Sequence, residues 1–236
     1  MRTPISTAVA VTFAVFALSP FAVSQAAIES AEQMTRNALE LDADTKRGAT
    51  LFTKHCASCH GAQAFGDPNR GVPALAGQRR AYVIKQLADF TERDRITTQM
   101  HKVVEREEVS GLQAWADLAL YLNQLQVPKS VQTGDGKHLS LGEASYAQWC
   151  ASCHEEDARG DDDGFVPSLR NQHYGYLLKE MRGLAAGHRF NVEPELGRFL
   201  SSLETDEMQG LADYVSRMHG PVRERAKLRN DGTVSD

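Results

Sequence analysis

Apolar positions along the chain recur at helical spacing. Leu51, Phe52, His55 and Cys56 fall at i, i+1, i+4 and i+5. Val83, Leu87 and Phe90 fall at i, i+4 and i+7, and Trp115, Leu118, Leu122 and Leu125 form a third stripe. Two stripes return later in the chain, as Leu177, Met181 and Leu184, and as Met208, Leu211, Val215 and Met218. Period-3.6 spacing of this kind predicts amphipathic helices. No run alternates apolar and polar between turn residues, so no strand is expected. The fold class read from this pattern is all-α.

The recurrence is a duplication. At an offset of 94 residues Gly48 maps to Gly142, Phe52 to Tyr146, Gln78 to Gln172, Tyr82 to Tyr176 and Arg95 to Arg189. The segment VPAL at 72–75 maps to VPSL at 166–169. Near the end the offset falls to 93, pairing Leu118 with Leu211 and Tyr121 with Tyr214. One residue is therefore lost between Arg189 and the last helix. Gly48 and Gly142 stand early in predicted helices, where glycine costs stability relative to alanine; a second helix crossing closely there would explain both.

Punctuation along the chain sets the expected boundaries. Residues 1–26 have Arg2 near the start, an apolar run from Ala8 to Leu18 and a Ser24-Gln25-Ala26 ending. That is the anatomy of a secretory signal peptide, with an uncleaved anchor as the alternative. Residues 27–41 are expected to form an extension containing a short amphipathic helix. The first repeat is placed at 42–127, a linker at 128–135, the second repeat at 136–220 and a polar tail at 221–236, whose basic part runs from Arg223 to Arg229. The 236 residues carry a net charge of −5, or −6 once residues 1–26 are removed. This balance argues against general affinity for nucleic acid or anionic lipid.

All four cysteines lie in two copies of CASCH, at 56–60 and 150–154. An exported chain with four cysteines suggests two disulfides first, and a zinc site of cysteines and histidines is another reading. Neither requires a histidine directly after each second cysteine. Covalent attachment of c-type haem does: Cys56 and Cys59, and Cys150 and Cys153, would form thioethers, and His60 and His154 would bind iron. Each repeat is about 85 residues, small for a self-sufficient core, and a bound haem would supply apolar volume.

The double C-x-x-C-H, the V-P-x-L-x-x-Q segment, the Arg95-x-x-x-x-Met100 spacing and the late helix with a tyrosine resemble di-haem cytochrome c4. The resemblance covers both repeats and implies two tandem class I cytochrome c folds, each packed around a covalently bound haem. It assigns the acceptor for each histidine's other N–H to the carbonyl of Pro73 or Pro167. It makes Met100 the sixth ligand of the first iron and counts Arg95 and Arg189 among the residues around the ligands. His101 is read as solvated.

The second repeat departs from the pattern. Met100 maps to Glu193 or Pro194, and no methionine occurs between 182 and 207. Met181 and Met208 fall on the Leu87 and Trp115 positions and are read as core. The sixth ligand of the second haem is left open, with His188 the nearest imidazole and Glu193 or Glu195 as further candidates. The two haems are therefore expected to differ. The acidic run 155–163 after the second motif is read as a solvated loop or as a surface that attracts a basic redox partner.

The function expected from the resemblance is periplasmic electron transfer between a quinol-oxidising complex or dehydrogenase and a terminal oxidase or reductase. Two alternatives stand beside it. One is an enzyme or ligand sensor built on an open second haem. The other is the electron-accepting subunit of a dehydrogenase, with the tail as contact.

Overall fold

The computed structural model describes residues 30–190 and 192–220. The expected signal peptide and polar tail lie outside these residues. Eleven α-helices are found among the described residues, with isolated bridges in place of any strand.

The extension folds as α1, Ala31–Leu39, capped by Ser30 Oγ accepting from Gln33 N–H at 3.2 Å. It packs against the first repeat's longer helices, burying Ala31, Thr35 and Ala38. The first repeat then runs through α2 (Thr45–His55), α3 (Ala57–His60), α4 (Arg80–Glu92), α5 (Thr98–Val104) and α6 (Leu112–Gln124). The second follows with α7 (Leu139–Ser145), α8 (Ala151–His154), α9 (Tyr174–Ala185), α10 (Pro194–Ser202) and α11 (Thr205–Ser216). A turn of π-helix, Tyr146–Cys150, joins α7 to α8.

The glycine expectation is met at both crossings. A Cβ on Gly48 of α2 would lie 2.1 Å from the Asp117 carbonyl oxygen of α6. One on Gly142 of α7 would lie 2.0 Å from the Gly210 oxygen of α11. Only glycine allows backbones this close. Each crossing seats an aromatic pair, Phe52 against Tyr121 at 5.5 Å and Tyr146 against Tyr214 at 5.8 Å. Two apolar cores result, one per repeat.

Buried carboxylates tie the loops to the helix crossings. Asp117 accepts from Asp44 N–H at 2.7 Å and from Arg47 Nε at 2.7 Å. Asp213 of α11 accepts from the N–H groups of Gly134 (2.8 Å) and Gly136 (2.7 Å) and from Arg217. The glycine-rich connection between the repeats is thus fixed by an anion that receives two backbone donors.

The repeats meet across a pseudo-twofold seam. Gln78 Nε2 donates to the Ser168 carbonyl and its Oε1 accepts from Ser168 N–H, both at 2.9 Å. Gln172 repeats this with Ala74, donating at 2.9 Å and accepting at 3.0 Å. Ser168 is the 94-residue counterpart of Ala74, so each glutamine binds the partner of the other. Arg95 and Arg189 pair as an antiparallel bridge, and Phe190 N–H donates to the Asp94 carbonyl at 2.9 Å.

Candidate functional site

Helix α2 ends at His55 and α3 begins at Ala57, which sets the first CASCH at a helix bend; α8 carries the second. In both motifs the first cysteine is half-buried and the second exposed. Burial pushes the Cys56 and Cys150 thiols up to about 11. These thiols are therefore protonated near pH 7. Among the described residues no three His, Cys, Asp or Glu side chains gather as a metal-binding group, which leaves the zinc reading without a ligand set.

The two histidines are placed alike. His60 Nδ1 donates to the Pro73 carbonyl at 3.1 Å, and His154 Nδ1 to that of Pro167 at 3.1 Å. Burial lowers the pKa of both rings, and the proline carbonyls raise it by less. The rings are therefore neutral near pH 7. With Nδ1 holding the proton, each Nε2 keeps its lone pair for a metal. Gly66 and Gly160 admit the proline segments: a Cβ on either would fall about 2.5 Å from the backbone at 72–73 or 166–167. Their φ values of 77° and 68° independently require glycine.

Both histidines and all four cysteines line one continuous cavity of about 1560 Å³. Drug-sized ligands occupy roughly 300–1,000 Å³, so this space exceeds what a single organic ligand needs. Its apolar wall includes Leu87, Leu118 and Leu122 from the first repeat and Leu177, Leu211 and Val215 from the second. A mostly apolar cavity lined by two pairs of cysteines and two pre-oriented neutral imidazoles, one set from each repeat, fits two covalently tethered haems.

Met100, on α5, lines this cavity. His101 does not stay in solvent as its sequence context suggested. It is buried, with Nδ1 3.0 Å from Arg93 Nη1 and Nε2 3.0 Å from the Arg95 carbonyl, and it holds the loop that leads into α5. In the second repeat His188 is exposed, is not part of the cavity wall and gives its backbone N–H to the Gly183 carbonyl. Glu193 and Glu195 reach the cavity rim but are exposed, and Glu195 is paired with Arg198 at 2.5 Å. Met208 is buried core, as read. Met181 packs, partly buried, against the second core, in keeping with its core reading, and it also lines the cavity.

Arg95 and Arg189 stand at the seam rather than on the histidines. Arg95 donates to Gln86 Oε1 (2.5 Å), Tyr176 OH (2.8 Å) and Glu180 Oε2 (2.7 Å). Arg189 donates to Gln86 Oε1 at 3.1 Å and lies 3.4 Å from Glu180. Burial pushes the Tyr176 phenol up to about 12, so it stays protonated. Gln86 and Glu180 are themselves 94 residues apart, a repeat-related pair that the offset could have exposed.

The repeats diverge at the cysteine side. His55 lies 2.6 Å from Glu108 and 3.2 Å from Arg106. At the corresponding positions Trp149 and Phe199 stack at 4.7 Å, with Trp149 half exposed. The acidic run is partly neutralised within the fold. Asp162 pairs with Arg79 of the first repeat at 3.0 Å, and Asp157 pairs with Arg170. Glu156 and Asp163 have no ion pair among the described residues.

The family model for cytochrome c matches residues 45–126 and again 139–219. The chain is 29% identical over 185 residues to the thiosulfate dehydrogenase electron acceptor of Stutzerimonas stutzeri (strain A1501), covering 74% of this chain and 83% of that one. It is 25% identical over 174 residues to cytochrome c4 of Pseudomonas aeruginosa, covering 70% and 84%. The solved structure of reduced recombinant cytochrome c4 from Pseudomonas stutzeri aligns with a TM-score of 0.64 and 25% identity, covering 75% of this chain and 100% of that chain.

Proposed function

Because the chain belongs to the cytochrome c family, with the family's domain present twice as in cytochrome c4, we propose that it is an exported di-haem electron carrier. The observation that carries this reading is the matched pair of Cys-x-x-Cys-His motifs, each histidine fixed on a proline carbonyl and both facing one cavity. When bound, each haem supplies a one-electron iron couple. Cys56 and Cys59 tether the first and Cys150 and Cys153 the second. His60 and His154 would each hold an iron through Nε2, and Met100 would supply a soft sulfur to the first. Apolar side chains against the haem faces would limit reorganisation when the iron's charge changes.

The seam contributes the coupling. Arg95, Arg189, Tyr82 and Tyr176 line the cavity where its two halves join. A rigid, hydrogen-bonded seam holds the two redox centres at a fixed separation. The similarity to thiosulfate dehydrogenase electron acceptors supports a dehydrogenase as electron donor, with a terminal oxidase or reductase downstream. Such partners need only small, transient contacts. Export through cleavage after Ala26 places the carrier in the periplasm; among the described residues no helix is long and apolar enough to cross a membrane.

Mass spectrometry of the exported protein tests the reading. The expected mass is that of the chain from Ala27 plus two haems, and a potentiometric titration should take up two electrons per chain. A mass equal to the bare polypeptide would refute it.

A further inference from the structure

We infer that Met181, on α9, supplies the upper axial ligand of the second haem; this rests on the di-haem reading above. Five methionines fall among the described residues, and only Met100 and Met181 line the cavity. One belongs to each repeat. In the first, the helix position is Leu87 and the covering helix α5 carries Met100. In the second, the covering helix α10 carries no methionine, and the Leu87 position has become Met181. The two differences compensate: the thioether has moved from the cover to the long helix.

Side-chain chemistry makes the exchange feasible. Methionine Sδ is the third atom beyond Cα, the same depth as a leucine Cδ. Leu87 already lines the cavity from this helix position. A methionine there presents sulfur where the first repeat presents a methyl group, on an unbranched side chain that adapts to its surroundings. The other candidates lack this placement. His188 is exposed and off the wall, and Glu195 is held outward by Arg198. Val192, Leu196, Phe199 and Leu200 complete the wall on this side. An apolar cover of this kind favours a neutral thioether over a carboxylate or a loosely held water.

The assignment fills the sixth position that the sequence left undecided and removes the premise of an open second haem. Both irons become His/Met centres, and differences between them arise from surroundings rather than ligand type. Each iron-bound methionine in a reduced cytochrome gives a methyl proton signal shifted far upfield by the porphyrin ring current. The intact protein is expected to show two such signals per chain. Met181→Leu restores the residue of the first repeat and should fold. It should keep two haems by pyridine haemochrome assay, lose one upfield methyl signal and about half of the oxidised far-red sulfur-to-iron band, and bind CO at one haem when reduced. Met100→Leu should remove the other signal. A single upfield methyl in the intact protein, or two that both survive Met181→Leu, overturns the assignment. Fewer than two haems per chain would instead overturn the di-haem reading.

Discussion

Replacing Gly142 by alanine should unlock the second repeat. The new Cβ would stand 2.0 Å from the Gly210 carbonyl oxygen and 2.4 Å from its carbon, against an ordinary contact of about 3.4 Å. The obstruction is backbone, so no rotamer relieves it, and α7 and α11 must part by roughly 1.4 Å. A gap of 0.5–1 Å already forfeits about a quarter to a half of the dispersion at a contact. The Tyr146–Tyr214 pair, worth about 0.5–1.5 kcal/mol, sits at this crossing. Leu211 and Val215 are fully buried beside it, each contributing roughly 1.5–3 kcal/mol. Losing a third to a half of these terms costs about 1–4 kcal/mol, a large part of a stability of about 5–15 kcal/mol. Guanidinium unfolding of the haem-loaded protein is the assay. Each repeat carries one tryptophan, Trp115 and Trp149, so removing one lets the other report its own repeat. Gly48→Ala, 2.1 Å from the Asp117 oxygen, should do the same to the first repeat. Gly197→Ala, whose Cβ would have its nearest neighbour at 3.4 Å, should be neutral or gain up to about 1 kcal/mol. Losses below about 1 kcal/mol for both crossing glycines would refute the close-approach argument.

Three further outcomes follow from the hydrogen-bond pattern. Gln172→Ala strands the buried N–H and carbonyl of Ala74, at about 1–3 kcal/mol each. It should slow electron exchange between the haems, measurable by flash photolysis, more than Gln132→Ala does, which removes only the exposed acceptor of Gly175 N–H. Asp117 and Asp213 act on acid stability: burial raises their pKa values, but their donors outweigh it and hold both below the ordinary 3.8. Their stabilisation is complete above that value and is lost as pH falls through the depressed folded-state values. An acid titration followed by circular dichroism should show Asp117→Asn and Asp213→Asn weakening the protein at pH 7 while flattening its loss below pH 4. In the acidic run, neutralising Glu156 and Asp163 should lower the salt dependence of reduction by a basic partner without changing stability. Asp162→Asn should instead loosen the seam through Arg79; identical effects of the two changes would contradict this division.

Much of the architecture was legible because local spacing controls it. Helical stripes, a glycine at each crossing and proline 13 residues after each histidine are short-range patterns, and the 94-residue offset multiplied each signal by two. The repeat-related pair Gln78 and Gln172 stood out as interface or pocket candidates, but their partners across the seam were not legible. Gln78 meets Ser168 and Gln172 meets Ala74 across 90 and 98 residues, and a polar residue in a loop gives no sign of which distant carbonyl it will find. His101 was misread for a related reason. An imidazole between a ligand candidate and a lysine looks solvated until the Arg95 carbonyl and the Arg93 guanidinium close around it. Met181 was read as core because periodicity reports that a side chain points inward. It does not report whether the interior there is packed protein or a cavity.

The duplication explains where the repeats could diverge. At an interface built from the same surface twice, residue i of one half meets residue j of the other, and j meets i. A change in Gln78, Ala74, Gln172 or Ser168 therefore disturbs a bond whose mirror image still constrains the remaining pair. Divergence at the seam is limited to exchanges that keep a donor or acceptor in place, such as Gln86 for Glu180, or Arg79 on the Arg159 carbonyl (2.8 Å) for His173 on the Phe65 carbonyl (2.7 Å). The surfaces away from the seam carry no such constraint. There one repeat holds His55, Arg106 and Glu108 where the other holds Trp149 and Phe199, and one holds its cavity methionine on α5 where the other holds it on α9. A polar cysteine side on one domain and an aromatic one on the other give the two ends different recognition chemistry. A carrier that takes electrons from one protein and gives them to another can use that difference, provided the shared seam keeps the two halves of the cavity in register.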